Sequence, residues 1–90
     1  MYSLEPTPTE VSKNLANRFR ILRKKRKISQ QEMAERSGVS LGSLKRFENS
    51  GKISLESLLK LMHLLGRLNE IDSILIIDEN REDIEKLFSK

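Results

Sequence analysis

The 90-residue chain contains no cysteine and no tryptophan, and its aromatics are one tyrosine and three phenylalanines. Without cysteine there is no disulfide framework, thiolate metal site or thiol nucleophile. The single histidine, His63, has no clustered carboxylates near it in sequence, which leaves little for metal binding or acid–base catalysis. No catalytic residue, cofactor or metal is therefore expected. No apolar run approaches the roughly 20 residues of a membrane span, and no signal-peptide pattern opens the chain. These absences predict a soluble, cytoplasmic, non-enzymatic protein. Ninety residues suffice for one all-helical core and are too few for two.

What is present is an uneven distribution of charge. The net charge is +4, yet residues 12–52 carry 12 Lys/Arg against 3 Asp/Glu, while residues 53–90 carry 5 against 8. A basic excess confined to one stretch is the footprint of a polyanion-binding face.

That stretch contains the segment around which the chain is organised, Ser29 to Glu48. Ser29 with Glu32 has the spacing of a capping box. Met33 and Ala34 follow as an inward pair, and Gly38 can stop the helix in a left-handed conformation. Val39 then packs under a turn, and Ser40 can cap a second helix. In that helix Leu44 and Phe47 fall on one face, leaving Leu41, Gly42, Lys45 and Arg46 on the other. Two short helices joined by a tight turn, the second with a small, basic outer face, can present that face to a DNA major groove. The pattern is a helix-turn-helix.

The remaining elements follow from similar signals. Residues 1–7 lack periodicity and read as a loose arm. Thr7, Pro8 and Glu10 mark the start of a first helix to about Arg26, with Val11, Leu15, Phe19 and Leu22 as its core stripe. It ends in the basic run from Arg23 to Lys27. That run reads either as a solvated terminus favoured by the macrodipole or, at one or two positions, as phosphate contacts. Ser54 caps a fourth helix that stops at Gly66. Its inner face is predicted to be Leu55, Leu58, Leu59, Met62 and Leu65, so that Leu61 and Leu64 exceed one stripe and suggest a further partner. A fifth helix is expected over about Asn69 to Ile77, although Ile74–Ile77 also has strand character. A last short helix with Ile84, Leu87 and Phe88 would form a C-terminal extension over 78–90. The predicted fold is all-α, a five-helix domain over 8–77.

Within this pattern L-R-K-K-R-K-I-S-Q-Q-E-M-A, G-V-S, S-L-K-R-F-E-N and S-L-E-S-L-L-K-L-M-H-L-L-G stand at matched spacing. Together they resemble the Cro/phage-repressor (xenobiotic-response-element) class of helix-turn-helix proteins from about Leu15 to Ile77. Two features depart from that class: Gly42 stands where a base-contacting side chain is usual, and the loop after Glu48 is about one residue short. The resemblance implies roles residue by residue. Gln30 would bond a DNA phosphate. Ser40 and Ser43 would reach phosphate, sugar or nearby base edges. Leu41 would touch a thymine methyl, and Arg46 would take guanine O6/N7 or a phosphate. Lys45 and Asn49 would contact the backbone, and Gly42 would admit a close approach. Arg23 and Glu48 would form a structural ion pair.

The function implied is a sequence-specific transcriptional regulator, a repressor binding a palindromic operator in double-stranded DNA as a homodimer assembled through residues beyond Leu61. The alternative is an antitoxin: F-E-N-S-G-K-I-S-L-E-S-L-L-K-L-M-H-L-L-G resembles the segment in HipB-type antitoxins, which pair with kinase-like toxins.

Overall fold

Four hydroxyl side chains start four of the helices. A computed structural model describes residues 5–77, and the expectations for residues 1–4 and for the extension from Asp78 onward lie outside them. Helix α1 (Pro8–Lys25) opens with a complete capping box: Thr7 Oγ1 accepts from the Glu10 N–H at 3.1 Å, and Glu10 Oε1 accepts from the Thr7 N–H at 2.8 Å. Helix α2 (Gln30–Ser37) is capped by Ser29, whose Oγ accepts from the Glu32 N–H at 3.0 Å. The second arm of the expected box is not made. The Glu32 carboxylate instead accepts from Arg36 Nη1 at 3.3 Å, an i,i+4 pair that competes for it on the exposed face. Ser40 caps α3 (Leu41–Ser50) and Ser54 caps α4 (Leu55–Leu64), each accepting from the N–H three residues on. Among the described residues there are five helices and no strand, an all-α fold.

The stops are equally local. Gly38 ends α2 at φ 81° and Gly51 ends α3 at φ 82°, both in the left-handed region where glycine carries no Cβ penalty. Gly51 is needed for a second reason: a Cβ there would lie 2.8 Å from the Ser12 carbonyl carbon of α1. The end of α3 is thus pressed directly onto the first helix.

Helix α1 packs on α3, and α2 packs on α3 and α4. The core between them is Ala16, Phe19, Met33, Ala34, Val39, Leu44, Phe47, Leu61 and Leu65. Phe19 and Phe47 bring α1 and α3 together with ring centroids 5.6 Å apart and planes tilted by 58°, a geometry worth about 0.5–1.5 kcal/mol beyond burial.

Three expectations about the core require correction. Val11 is 45% exposed, and Ala16, further along the same helix, is the buried residue. Met62 and Leu65 are buried and Leu58 packs on the core as expected, but Leu55 is 66% exposed and Leu61 is fully buried, so the inner face of α4 takes in Leu61 and leaves out Leu55. Leu61 is therefore core, not surplus. Leu55 stands at the first position of α4, and Val11 in the first turn of α1. Leu41, expected on the outer face, is half-buried and packs on the core from the first position of α3.

The fifth helix also differs. It is Leu68–Asp72, five residues with none buried, rather than Asn69–Ile77. No side chain caps its start; Arg67 at the cap position donates through Nε to the Glu70 carboxylate. That bond and the charge of Glu70 raise the Arg67 guanidinium further above its ordinary pKa. Four β-branched isoleucines at 71, 74, 76 and 77 resist helix extension. Beyond Ser73 the backbone breaks, with Leu75 at φ 65°. Ile74, Leu75, Ile76 and Ile77 are all exposed.

Candidate nucleic-acid interface

Helix α3 has one face without freedom and one without partners. Leu44 and Phe47 are 0% and 1% exposed, which fixes the rotation of the helix about its axis. Gly42, Lys45, Arg46 and Asn49 are consequently held on the exposed side, with Ser43 half-covered at its edge. Among the described residues neither Lys45 nor Arg46 has an ion-pair partner. A Cβ at Gly42 would meet nothing within 4 Å, so packing does not require glycine there. At the start of the helix Ser40 Oγ, besides capping, donates to Ser43 Oγ at 2.9 Å. The two hydroxyls form one polar group at the N-terminal end of the exposed face.

Behind this surface lies a buried polar bracket. Arg23 of α1 donates through Nε to Glu48 Oε2 at 2.7 Å and through Nη2 to Oε1 at 3.0 Å, a fork-to-fork pair with side-chain exposures of 7% and 3%. Its third nitrogen, Nη1, donates to the Ile28 carbonyl at 2.8 Å and so holds the α1–α2 turn. Gln30 Nε2 donates to the same Glu48 Oε1 at 3.0 Å. The end of α1, the start of α2 and the end of α3 are therefore tied at one carboxylate. All its charge is met internally, and no negative charge is left facing outward.

Two clefts border α3. One lies toward α4 and is lined by Ser43, Arg46, Lys52, Ser54 and Ser57. The other lies toward α1 and α2, where Asn49 and Gln30 stand with Arg20 and Lys24. Lys52, Ser54 and Ser57 were not among the residues expected at the site. Their signal was present in the sequence: a lysine two residues before a serine-capped helix start, directly after the helix with the basic face. The structure thus leaves Lys45, Arg46 and Asn49 exposed, half-covers Gln30 and Ser43 in the clefts on either side of α3, and covers most of Leu41. His63 is exposed on α4, and no group of His, Asp or Glu that could hold a metal occurs among the described residues. No helix among them is long and apolar enough to cross a membrane.

A family model for helix-turn-helix domains, the Cro/C1-type class, matches residues 19–70. Comparison with curated proteins gives no match. The matched segment spans more than half of the chain and includes the capped turn, the buried bracket and both clefts, and by it the chain belongs to the Cro/C1-type helix-turn-helix family of DNA-binding transcription regulators, a family generally without enzymatic activity.

Proposed function

We propose that the protein is a sequence-specific repressor that reads a palindromic operator as a two-fold dimer, with α3 in the major groove. The observation that carries the reading is the split of α3 between a fully buried apolar side and an exposed side of Gly42, Lys45, Arg46 and Asn49, with Ser43 half-covered at its edge. In this reading Arg46 reads a base pair, with guanine O6/N7 as the matching acceptors. Lys45, Asn49, Gln30 and the Ser40–Ser43 pair hold the phosphate backbone and set register. Gly42 contributes by being small, since a bare backbone allows bases or sugar to come closer than any side chain would. Leu41 adds only the part of its side chain that the core leaves uncovered.

Selection of bound sequences from a random DNA pool at two salt concentrations tests the proposal. A palindromic motif with half-sites about 34 Å apart is expected. Arg46→Ala should cost about 1–3 kcal/mol on the best site and flatten preference at one base pair, while Gln30→Ala weakens all sequences alike. An Arg46→Ala motif identical to the wild type would make Arg46 a phosphate contact. The antitoxin reading rests on the sequence resemblance, and a complex with a kinase-like protein encoded beside this chain would support it.

A further inference from the structure

The basic run at the end of α1 separates into different roles once its partners are known. Arg23 is spent on Glu48 and Ile28. Arg26 Nη1 donates to the Leu65 carbonyl at 2.8 Å, where it ties α1 to the end of α4. Lys24 and, one turn earlier, Arg20 line the cleft that also contains Gln30 and Asn49. Both are exposed, and neither has an ion-pair partner among the described residues. Lys25 and Lys27 are exposed as well but do not line this cleft.

We propose that Arg20 and Lys24 are a phosphate-binding arm of the interface, which extends the DNA-binding surface from α2 and α3 onto α1. The inference rests on the reading of α3 as the groove-inserting helix, and three observations support it. First, like charges four residues apart on a helix face repel by a few tenths of a kcal/mol, and only an anion between them turns that repulsion into attraction. Second, the one acid bordering the cleft, Glu48, is neutralised by Arg23 and is 3% exposed, so the cleft presents cations outward and no competing carboxylate. Third, Asn49 of α3 and Gln30 at the start of α2 line the same cleft, so a strand read by α3 would have this cleft beside its backbone. Four residues of helix span about 6 Å, so two long side chains can follow a backbone rather than pinch one oxygen. Interactions of this kind carry affinity and no sequence information.

The test compares Arg20→Ala/Lys24→Ala with Lys25→Ala/Lys27→Ala, as full chains, on the selected operator and on unrelated duplex DNA across a salt series. On B-DNA each phosphate that is no longer neutralised reduces the magnitude of the negative slope of log K against log salt by about 0.9. The 20/24 pair should therefore make the slope shallower by about 2, weaken operator and unrelated DNA by the same factor, and leave the selected motif unchanged. The 25/27 pair should change the slope by much less. Thermal unfolding of both variants should match the wild type, since all four residues are exposed. An unchanged slope in the 20/24 variant, or equal reductions in both variants, would overturn the proposal, the latter by showing a diffuse field in place of a defined phosphate site. A wild-type protein that binds no duplex would instead overturn the underlying reading of α3.

Discussion

Helices α3 and α5 are both short, yet they differ in every respect that fixes a helix in place. Helix α3 has a serine cap, a left-handed glycine stop and two fully buried side chains. Helix α5 has no side-chain cap, no glycine stop and no buried residue. Isolated helices of either length are marginal in water, so α3 owes its order to Leu44, Phe47 and the bracket behind Glu48. The fixed contacts are concentrated behind the exposed face of α3, whereas the segment that follows α5 has its isoleucines exposed. Arg46 can discriminate a base only if the backbone beneath it does not move.

The sharpest way to break this contrast is to remove the bracket. Glu48→Ala strands the Arg23 guanidinium in a site where only the Ile28 carbonyl remains to it, and frees Gln30. Loss of one partner from a buried pair costs about 3–5 kcal/mol, to be measured as a shift in denaturant midpoint at constant slope. Replacement of both partners by apolar residues of similar volume should cost much less, because no charge is then left buried. A loss below about 1 kcal/mol for Glu48→Ala would show that the bracket is no tighter than a surface pair.

Gly51→Ala comes next. It combines a left-handed backbone, about 1–2 kcal/mol for a residue with a Cβ, with an approach of 2.8 Å to the α1 backbone that cannot relax by rotating a side chain. We expect a total of roughly 2–4 kcal/mol. Gly42→Ala should do the reverse, stabilising α3 by up to about 1 kcal/mol while weakening operator binding, because a Cβ there has open space in the free protein. Ser40→Ala sharpens the comparison from the other end: loss of an N-cap costs about 1 kcal/mol, and α5, which has no such cap, offers no equivalent site.

The sequence made the local chemistry legible and left the tertiary choices open. Thr7, Ser29, Ser40 and Ser54 cap helices as expected, because an N-cap is decided within four residues. Gly38 ends α2 for the same reason. The edges of the inner face of α4 were not legible in this way. Seven of the residues from Leu55 to Leu65 are Leu or Met, and periodicity alone cannot say which of two adjacent stripes meets α2. The structure selects Leu61 and exposes Leu55. Within the basic run, the pairing of Arg23 with Glu48, 25 residues along the chain, was legible only through the family resemblance, and the bond from Arg26 to the Leu65 carbonyl, 39 residues along, was not legible at all.

The smallest effect on stability is expected where the exposed apolar run lies. Ile74, Leu75, Ile76 and Ile77 are 59%, 94%, 57% and 38% exposed, so Leu75→Ser/Ile76→Ser should change monomer unfolding by no more than about 0.5 kcal/mol. Its effect on assembly should be far larger if this run is the seat of the proposed dimer. With Leu61 assigned to the core, the run is the most exposed continuous apolar stretch beyond that residue among the described residues. A dimer that unfolds to monomers melts at a temperature that rises with protein concentration. The wild type should therefore show that dependence and sediment as a dimer at micromolar concentration, whereas the double variant should sediment as a monomer with a melt independent of concentration. Operator binding by the variant should lose its two-fold character and retain the half-site preference set by Arg46. A variant that still sediments as a dimer would place the interface elsewhere, and a wild type that is monomeric on and off DNA would leave α3 to read its half-site alone.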